Sequence, residues 1–148
     1  MKLPSIYLLL ADDDKDDRLF FKEALDELSL SVNLTTVNDG EELMQFLTKK
    51  DTNLPTLIFL DINMPRKNGL ECLTEIKLDE KLKKLPVIIF STSMDPDMIN
   101  LLYKKGAQHY IHKPSEFSKL KKAIHDVLTL MLEENDVQPV KEKFIVQV

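Results

Sequence analysis

Three consecutive aspartates, Asp12, Asp13 and Asp14, follow directly on the apolar run Ile6 to Ala11. A fourth, Asp61, ends a second apolar run in the segment Leu60-Asp61-Ile62-Asn63-Met64-Pro65. Loop solvation is a weak reason for a carboxylate that closes a wholly apolar run. If these groups converge, they repel, and either one takes up a proton or a cation joins them. All-oxygen ligands with few carboxylates suit Mg2+, which keeps several waters and leaves positions for phosphate oxygens. His109, His112 and His125 lack metal-ligand spacing, and no His or Cys cluster supports zinc. Within the triplet, Asp14 is expected to cap the helix that follows, with Asp12 and Asp13 facing the metal.

Two more runs end in polar groups of a matching kind. Val87 to Phe90 leads into Ser91, Thr92 and Ser93, any of which offers a hydroxyl to a phosphoryl oxygen. His109 to Ile111 leads into His112, Lys113 and Pro114, and the lysine supplies a compact positive charge for carboxylate or phosphate. A carboxylate nucleophile, a divalent cation and an ammonium point to phosphoryl transfer onto Asp61. The only glycines are Gly40, Gly69 and Gly106, so there is no glycine-rich nucleotide loop. The phosphoryl donor is therefore expected to be something other than ATP held by this chain.

These residues can meet only in a fold that gathers the ends of separate runs. Ile6 to Leu10, Leu57 to Leu60 and Val87 to Phe90 do not alternate, which predicts strands buried on both faces of a parallel sheet. Asn33 to Val37 and His109 to Ile111 are weaker strand candidates. Between them fall helical stripes: Leu19, Phe20, Ala24 and Leu28; Leu43, Phe46 and Leu47; Leu70, Leu73 and Ile76; Met98, Leu101 and Leu102. The last stripe is the strongest, with Phe117, Leu120, Ile124, Val127, Leu128 and Met131. Strand and helix alternate five times, which predicts a doubly wound α/β fold with right-handed crossovers. Ligands of such folds bind outside the carboxyl ends of the strands, where strand order reverses. Asp12, Asp61, Ser91 and Lys113 all follow strand ends.

Composition narrows the function classes. The 148 residues fit one domain, with 43% apolar and 30% charged residues. A formal charge of -5 argues against general nucleic-acid binding. Cys72 is the single cysteine, and no run is long enough to span a bilayer, so a cytoplasmic location is expected. Residues 1–133 are expected to form the domain. Residues 134–148 read as a frayed tail, too short for an output domain. The less favoured alternative is that its apolar end, Phe144 to Val148, packs on the domain or a partner.

The chain resembles the receiver domains of two-component response regulators over about residues 5–132. Leu10-Ala11-Asp12-Asp13-Asp14, Asp61-Ile62-Asn63-Met64-Pro65 with Gly69, Ser91, and Lys113-Pro114 carry that resemblance jointly. Asp61 to Gly69 resembles most the single-domain regulators paired with cyanobacterial phytochromes. The resemblance implies a flavodoxin-like sheet in the order 2-1-3-4-5. By similarity, Asp12, Asp13, Asp61 and the Asn63 backbone carbonyl hold Mg2+, with Mn2+ able to substitute. Asp61 accepts the phosphoryl group, Ser91 and Lys113 bind it, and Tyr110 is the aromatic switch. Thr92, Met64 and Ser93 are expected to tune phosphoryl lifetime, Thr92 by narrowing the approach of water. The implied partners are a histidine kinase, of phytochrome type or acting through a phosphotransfer protein, and a downstream target. A homodimer through the face of helix four, strand five and helix five is also implied; nucleic acid and membrane are not. A haloacid-dehalogenase-like phosphatase shares the aspartate nucleophile but carries a bulky cap that this chain lacks.

Overall fold

The computed structural model describes residues 6–28, 30–134 and 137–147. Five strands and five helices alternate: β1 (Ile6–Ala11), α1 (Lys15–Glu27), β2 (Val32–Val37), α2 (Gly40–Thr48), β3 (Leu57–Leu60), α3 (Gly69–Leu78), β4 (Val87–Ser91), α4 (Pro96–Lys104), β5 (His109–His112) and α5 (Phe117–Glu134). All strand pairs are parallel, in the order β2-β1-β3-β4-β5. The expected doubly wound fold is present, and the order reverses between β1 and β3.

Side chains alternate across the sheet and so build two cores. Leu9, Ala11, Ile58, Leu60 and Ile89 face α2, α3 and α4. Leu8, Leu10, Phe59, Ile88, Phe90 and Ile111 face α1 and α5. Phe21 of α1 meets Phe59 and Phe90 edge-on, with ring centroids 5.0 and 5.7 Å away. That contact corrects the expected stripe of α1. Phe21, Ala24 and Leu25 are buried, while Leu19 is 54% exposed. Spacing alone admits either face; the aromatic cluster under the sheet selects the one carrying Phe21. In α4, likewise, Ile99 and Leu102 go inward and Leu101 lies at the surface.

Register puts the polar strand ends level with one another. Ala11 pairs with Leu60, so Asp12 and Asp61 leave the sheet side by side, and the Asp61 N–H donates to the Ala11 carbonyl at 3.0 Å. Ser91 pairs with His112, and the Lys113 N–H donates to the Ser91 carbonyl at 2.8 Å. Asp14 caps α1 as expected, accepting from the N–H groups of Asp16 and Asp17. There is no cis peptide bond among the described residues, so Lys113–Pro114 is trans.

The frayed tail is overturned. Residues 137–147 run back along the outer edge of β5, where Tyr110 N–H donates to the Phe144 carbonyl and Val146 N–H to the Tyr110 carbonyl, at 3.0 and 2.9 Å. Phe144 is 1% exposed and packs edge-on against Tyr103 at 5.1 Å. Gln138 donates to the carbonyls of Tyr103 and Ala107, and the Tyr103 hydroxyl to that of Pro139. Buried His109 lies between the Phe144 carbonyl at 3.0 Å and the Glu134 carboxylate at 2.9 Å. Unpaired strand edges invite covering, and burying a phenylalanine is worth about 1.5–3 kcal/mol.

Truncating a buried phenylalanine to alanine costs about 3–5 kcal/mol, and here that cost falls on the docking of the tail. Phe144→Ala is expected to speed amide hydrogen exchange at Tyr110 and Val146 while β1 and β3 stay protected. Unchanged protection at Tyr110 and Val146 would show that Phe144 does not hold the segment.

Candidate functional site

Asp12 is fully buried and Asp61 is 6% exposed, although each stands at the start of a loop. Each uses one oxygen to close its own turn: Asp12 Oδ1 accepts from Asp14 N–H at 2.9 Å and Asp61 Oδ1 from Asn63 N–H at 3.3 Å. Their other oxygens turn toward Lys113. Its Nζ lies 2.7 Å from Asp12 Oδ2, 2.9 Å from Asp17 Oδ2 and 3.2 Å from Asp61 Oδ2. The ammonium also stands over the Phe90 ring, 5.5 Å from its centroid, a favourable cation–π placement.

Gly69 allows the Asp61 turn to close. A Cβ there would come within 2.4 Å of the Asp61 carbonyl oxygen and 2.8 Å of Ile62 Cα. The Gly69 N–H instead donates to the Ile62 carbonyl at 2.8 Å. The start of α3 is therefore pinned to the acidic loop.

Burial pushes the Asp12 and Asp61 carboxyls above the ordinary aspartate range, and the bonds to Lys113 pull them only part of the way back. The charge of Asp13 pushes Asp61 further up. For Lys113 burial works against the charge, but the bonds to Asp12 and Asp17 prevail and hold the ammonium above the usual lysine range. One cation thus serves more negative charge than it can balance. Carboxylate oxygens of Asp12, Asp13 and Asp61 all lie within 4.8 Å of one another. An all-oxygen cluster with a deficit of positive charge fits a hard divalent cation.

Asp12, Asp13, Asp61 and Lys113 are brought together, and Asn63 lies exposed at the turn beside them. Ser91 is fully buried at the end of β4, and its Oγ accepts from the Ser93 N–H at 3.2 Å. The Ser93 carbonyl in turn accepts from the Tyr110 hydroxyl. Tyr110 is fully buried beneath the docked tail, and burial raises its phenol above the ordinary range. Thr92 is exposed in the loop after β4, while Met64 turns into the core shared with α3 and α4. The structure adds Asp17, which nothing in the periodicity distinguishes from the other acids opening α1. Its clue is position: it falls within a helical turn of Asp14, whose cap fixes where that turn begins.

A doubly wound sheet with buried carboxylates and an ammonium at its switch point defines a flavodoxin-like α/β domain with a cation-type acidic pocket. Residues 8–125 match the response regulator receiver domain family, and the chain belongs to that family of two-component signalling proteins. It is 31% identical over 134 residues to response regulator Rcp1 of Synechocystis, covering 88% of this chain and 91% of that protein. The phosphorylated cyanobacterial phytochrome response regulator RcpA superimposes with a TM-score of 0.80 at 34% identity, over 87% of this chain and 95% of RcpA. The Mn(2+)-bound form of Rcp1 gives 0.78 at 31% identity, over 86% and 95% of the two chains.

Raised carboxyls make a prediction with a definite sign. The aspartate reference is 3.8, so below roughly pH 4 the folded and unfolded chains both carry the proton and these groups cost nothing. As pH rises from the unfolded value, the unfolded chain ionises before the folded one, so stability falls and the loss is complete once pH has passed the raised folded values. With metal chelated, Asp61→Asn is expected to raise the thermal midpoint at pH 7 and to lose that advantage toward pH 4. A gain of about 1 kcal/mol corresponds to roughly 2–4 °C. A lower midpoint at pH 7 would contradict the charge conflict.

Proposed function

We propose that Asp61 is the phosphoacceptor of this receiver domain, taking its phosphoryl group from a histidine kinase or a phosphotransfer protein. The observation that carries the reading is the reach of one ammonium, Lys113, to both Asp61 and Asp12 inside a three-carboxylate cluster. An Asp61 carboxylate oxygen forms the new O–P bond as the bond from phosphorus to the donor breaks, and the donor departs with that electron pair. Lys113 then gives an N–H to a phosphoryl oxygen, and the Ser91 hydroxyl offers a second donor. Asp12, Asp13 and Asp61, with the Asn63 carbonyl, would hold Mg2+ or Mn2+, whose charge would offset that of the transferring group. The Mn(2+)-bound form of Rcp1 supports the choice of metal.

We take the receiver domain to span residues 1–133, with 134–148 as a tail appended to it. Ser91 drawn toward the phosphoryl group pulls on Ser93, and Ser93 holds the Tyr110 hydroxyl. Since Tyr110 carries the tail on its backbone, the surface read by a target comprises α4, β5, α5 and residues 137–147. Phosphorylation shifts the population between two packings of that surface. The same face offers itself to a second copy in a homodimer. Likeness to phytochrome response regulators supports a phytochrome-type kinase as donor. No helix among the described residues is long and apolar enough to cross a membrane. Its chemistry is confined to its own phosphotransfer and autodephosphorylation, whose rate the exposed Thr92, with Ser93 and Met64, helps to set.

Incubation with acetyl phosphate and Mg2+ tests this by intact-protein mass. One phosphoryl group is expected on the wild type, and none on Asp61→Asn or on the wild type with chelator. A wild type that remains unlabelled, or an Asp61→Asn variant labelled to the same extent, would sink the proposal.

A further inference from the structure

The Lys113 ammonium has three N–H groups and three carboxylate partners, and the three are not equivalent. Its bond to Asp61, at 3.2 Å, is the longest; those to Asp12 and Asp17 are 2.7 and 2.9 Å. The Asp12 side chain is fully buried and that of Asp61 is 8% exposed, whereas the Asp17 side chain is 39% exposed. The half-exposed Asp17 side chain therefore holds Lys113 from the α1 side at little desolvation cost, so that the ammonium does not rest on Asp61 alone.

Local structure holds Asp17 in place for this. Asp14 N–H bonds Asp12 Oδ1, and Asp14 Oδ1 accepts from the N–H groups of Asp16 and Asp17 at 2.8 and 3.0 Å. The buried carboxylate, the helix cap and Asp17 thus form one connected turn. Capping uses the Asp17 backbone and leaves its carboxylate to Lys113. An acid in the first turn also favours the helix dipole, but Asp16 supplies that equally and touches no cation among the described residues.

We propose that Asp17 is a positioning residue for Lys113, anchoring the ammonium beside Asp61 so that Asp61 stays available to a divalent cation and to phosphorus. The proposal rests on the phosphoacceptor reading and deepens it. An ammonium seated fully on Asp61 would compete with a metal ion for the same carboxylate and blunt its attack. With Asp12 and Asp17 holding two N–H groups, only the third has to pass from Asp61 to a phosphoryl oxygen when the acyl phosphate forms. Asp17→Asn leaves the cap intact but lets Lys113 settle onto Asp61.

The test measures Mn2+ binding by calorimetry, without phosphodonor, in the full chain and in a double-mutant cycle. Asp17→Asn is expected to weaken Mn2+ binding severalfold, and Asp17→Glu to recover part of the loss. Asp16→Asn, which removes the same charge from the same helical turn, is expected to change binding little. In a Lys113→Met background, Asp17→Asn is expected to have far less effect than in the wild type. Equal losses in both backgrounds would reduce Asp17 to bulk charge and overturn the proposal, as would no loss at all. Since binding is read without phosphoryl transfer, failure of Asp61 to accept phosphate is seen separately in the labelling of the wild type.

Discussion

Asp12 and Asp61 are carried under the loops by the register of β1 with β3, and the ammonium of Lys113 is what they share there. Burying carboxylates together is costly, and one cation at bonding distance offsets only part of the cost. The pocket therefore stands in a state that favours a proton or a second, divalent cation. The turn at Gly69, the cap at Asp14 and the ring of Phe90 all keep the groups from relaxing apart.

In the proposed switch, the consequences travel along the edge of the sheet. Ser91 ends the strand beside β5, its hydroxyl holds Ser93, and Ser93 holds Tyr110. Tyr110 then bonds through its backbone to Phe144 and Val146, so the last residues described form an extra rung outside β5. In the proposed switch, a change in charge at Asp61 that draws in Ser91 would reach the molecular surface through these bonds from Ser91 onward. Coupling needs a second packing as well as a route, and in the proposed switch the tail, docked through Phe144, Val146, two backbone bonds to Tyr110 and side-chain bonds of Gln138, Tyr103 and His109, is the element that adopts one.

The sequence discloses the fold and the pocket because both rest on short-range signals. Apolar runs that do not alternate mark the buried strands, and residues that end such runs emerge together at one edge. This is why Asp12, Asp61, Ser91 and Lys113 were legible without coordinates. Leu19 shows where the signal stops. Helical spacing allows two faces of α1, and only the rings of Phe59 and Phe90 beneath it decide for Phe21. The frayed reading of the tail fails for a related reason: its apolar end admits packing on the domain, the less favoured alternative, but the pairing with β5 is long-range and so short a run does not name its partner. Asp17 was hidden among neighbours of identical charge, since its contact with Lys113 depends on how a cap sets the first helical turn.

In the proposed switch, charge at Asp61 governs a path running through Ser91 and Tyr110 to the docked tail. Amide NMR shifts recorded before and after loading the pocket with beryllofluoride and Mg2+ test it most directly. The account predicts changes at Asp61 and Lys113 that continue through Ser93 and Tyr110 to Phe144, Ile145 and Val146. Changes confined to the loops around Asp12, Asp61 and Lys113, with the tail unmoved, would contradict it.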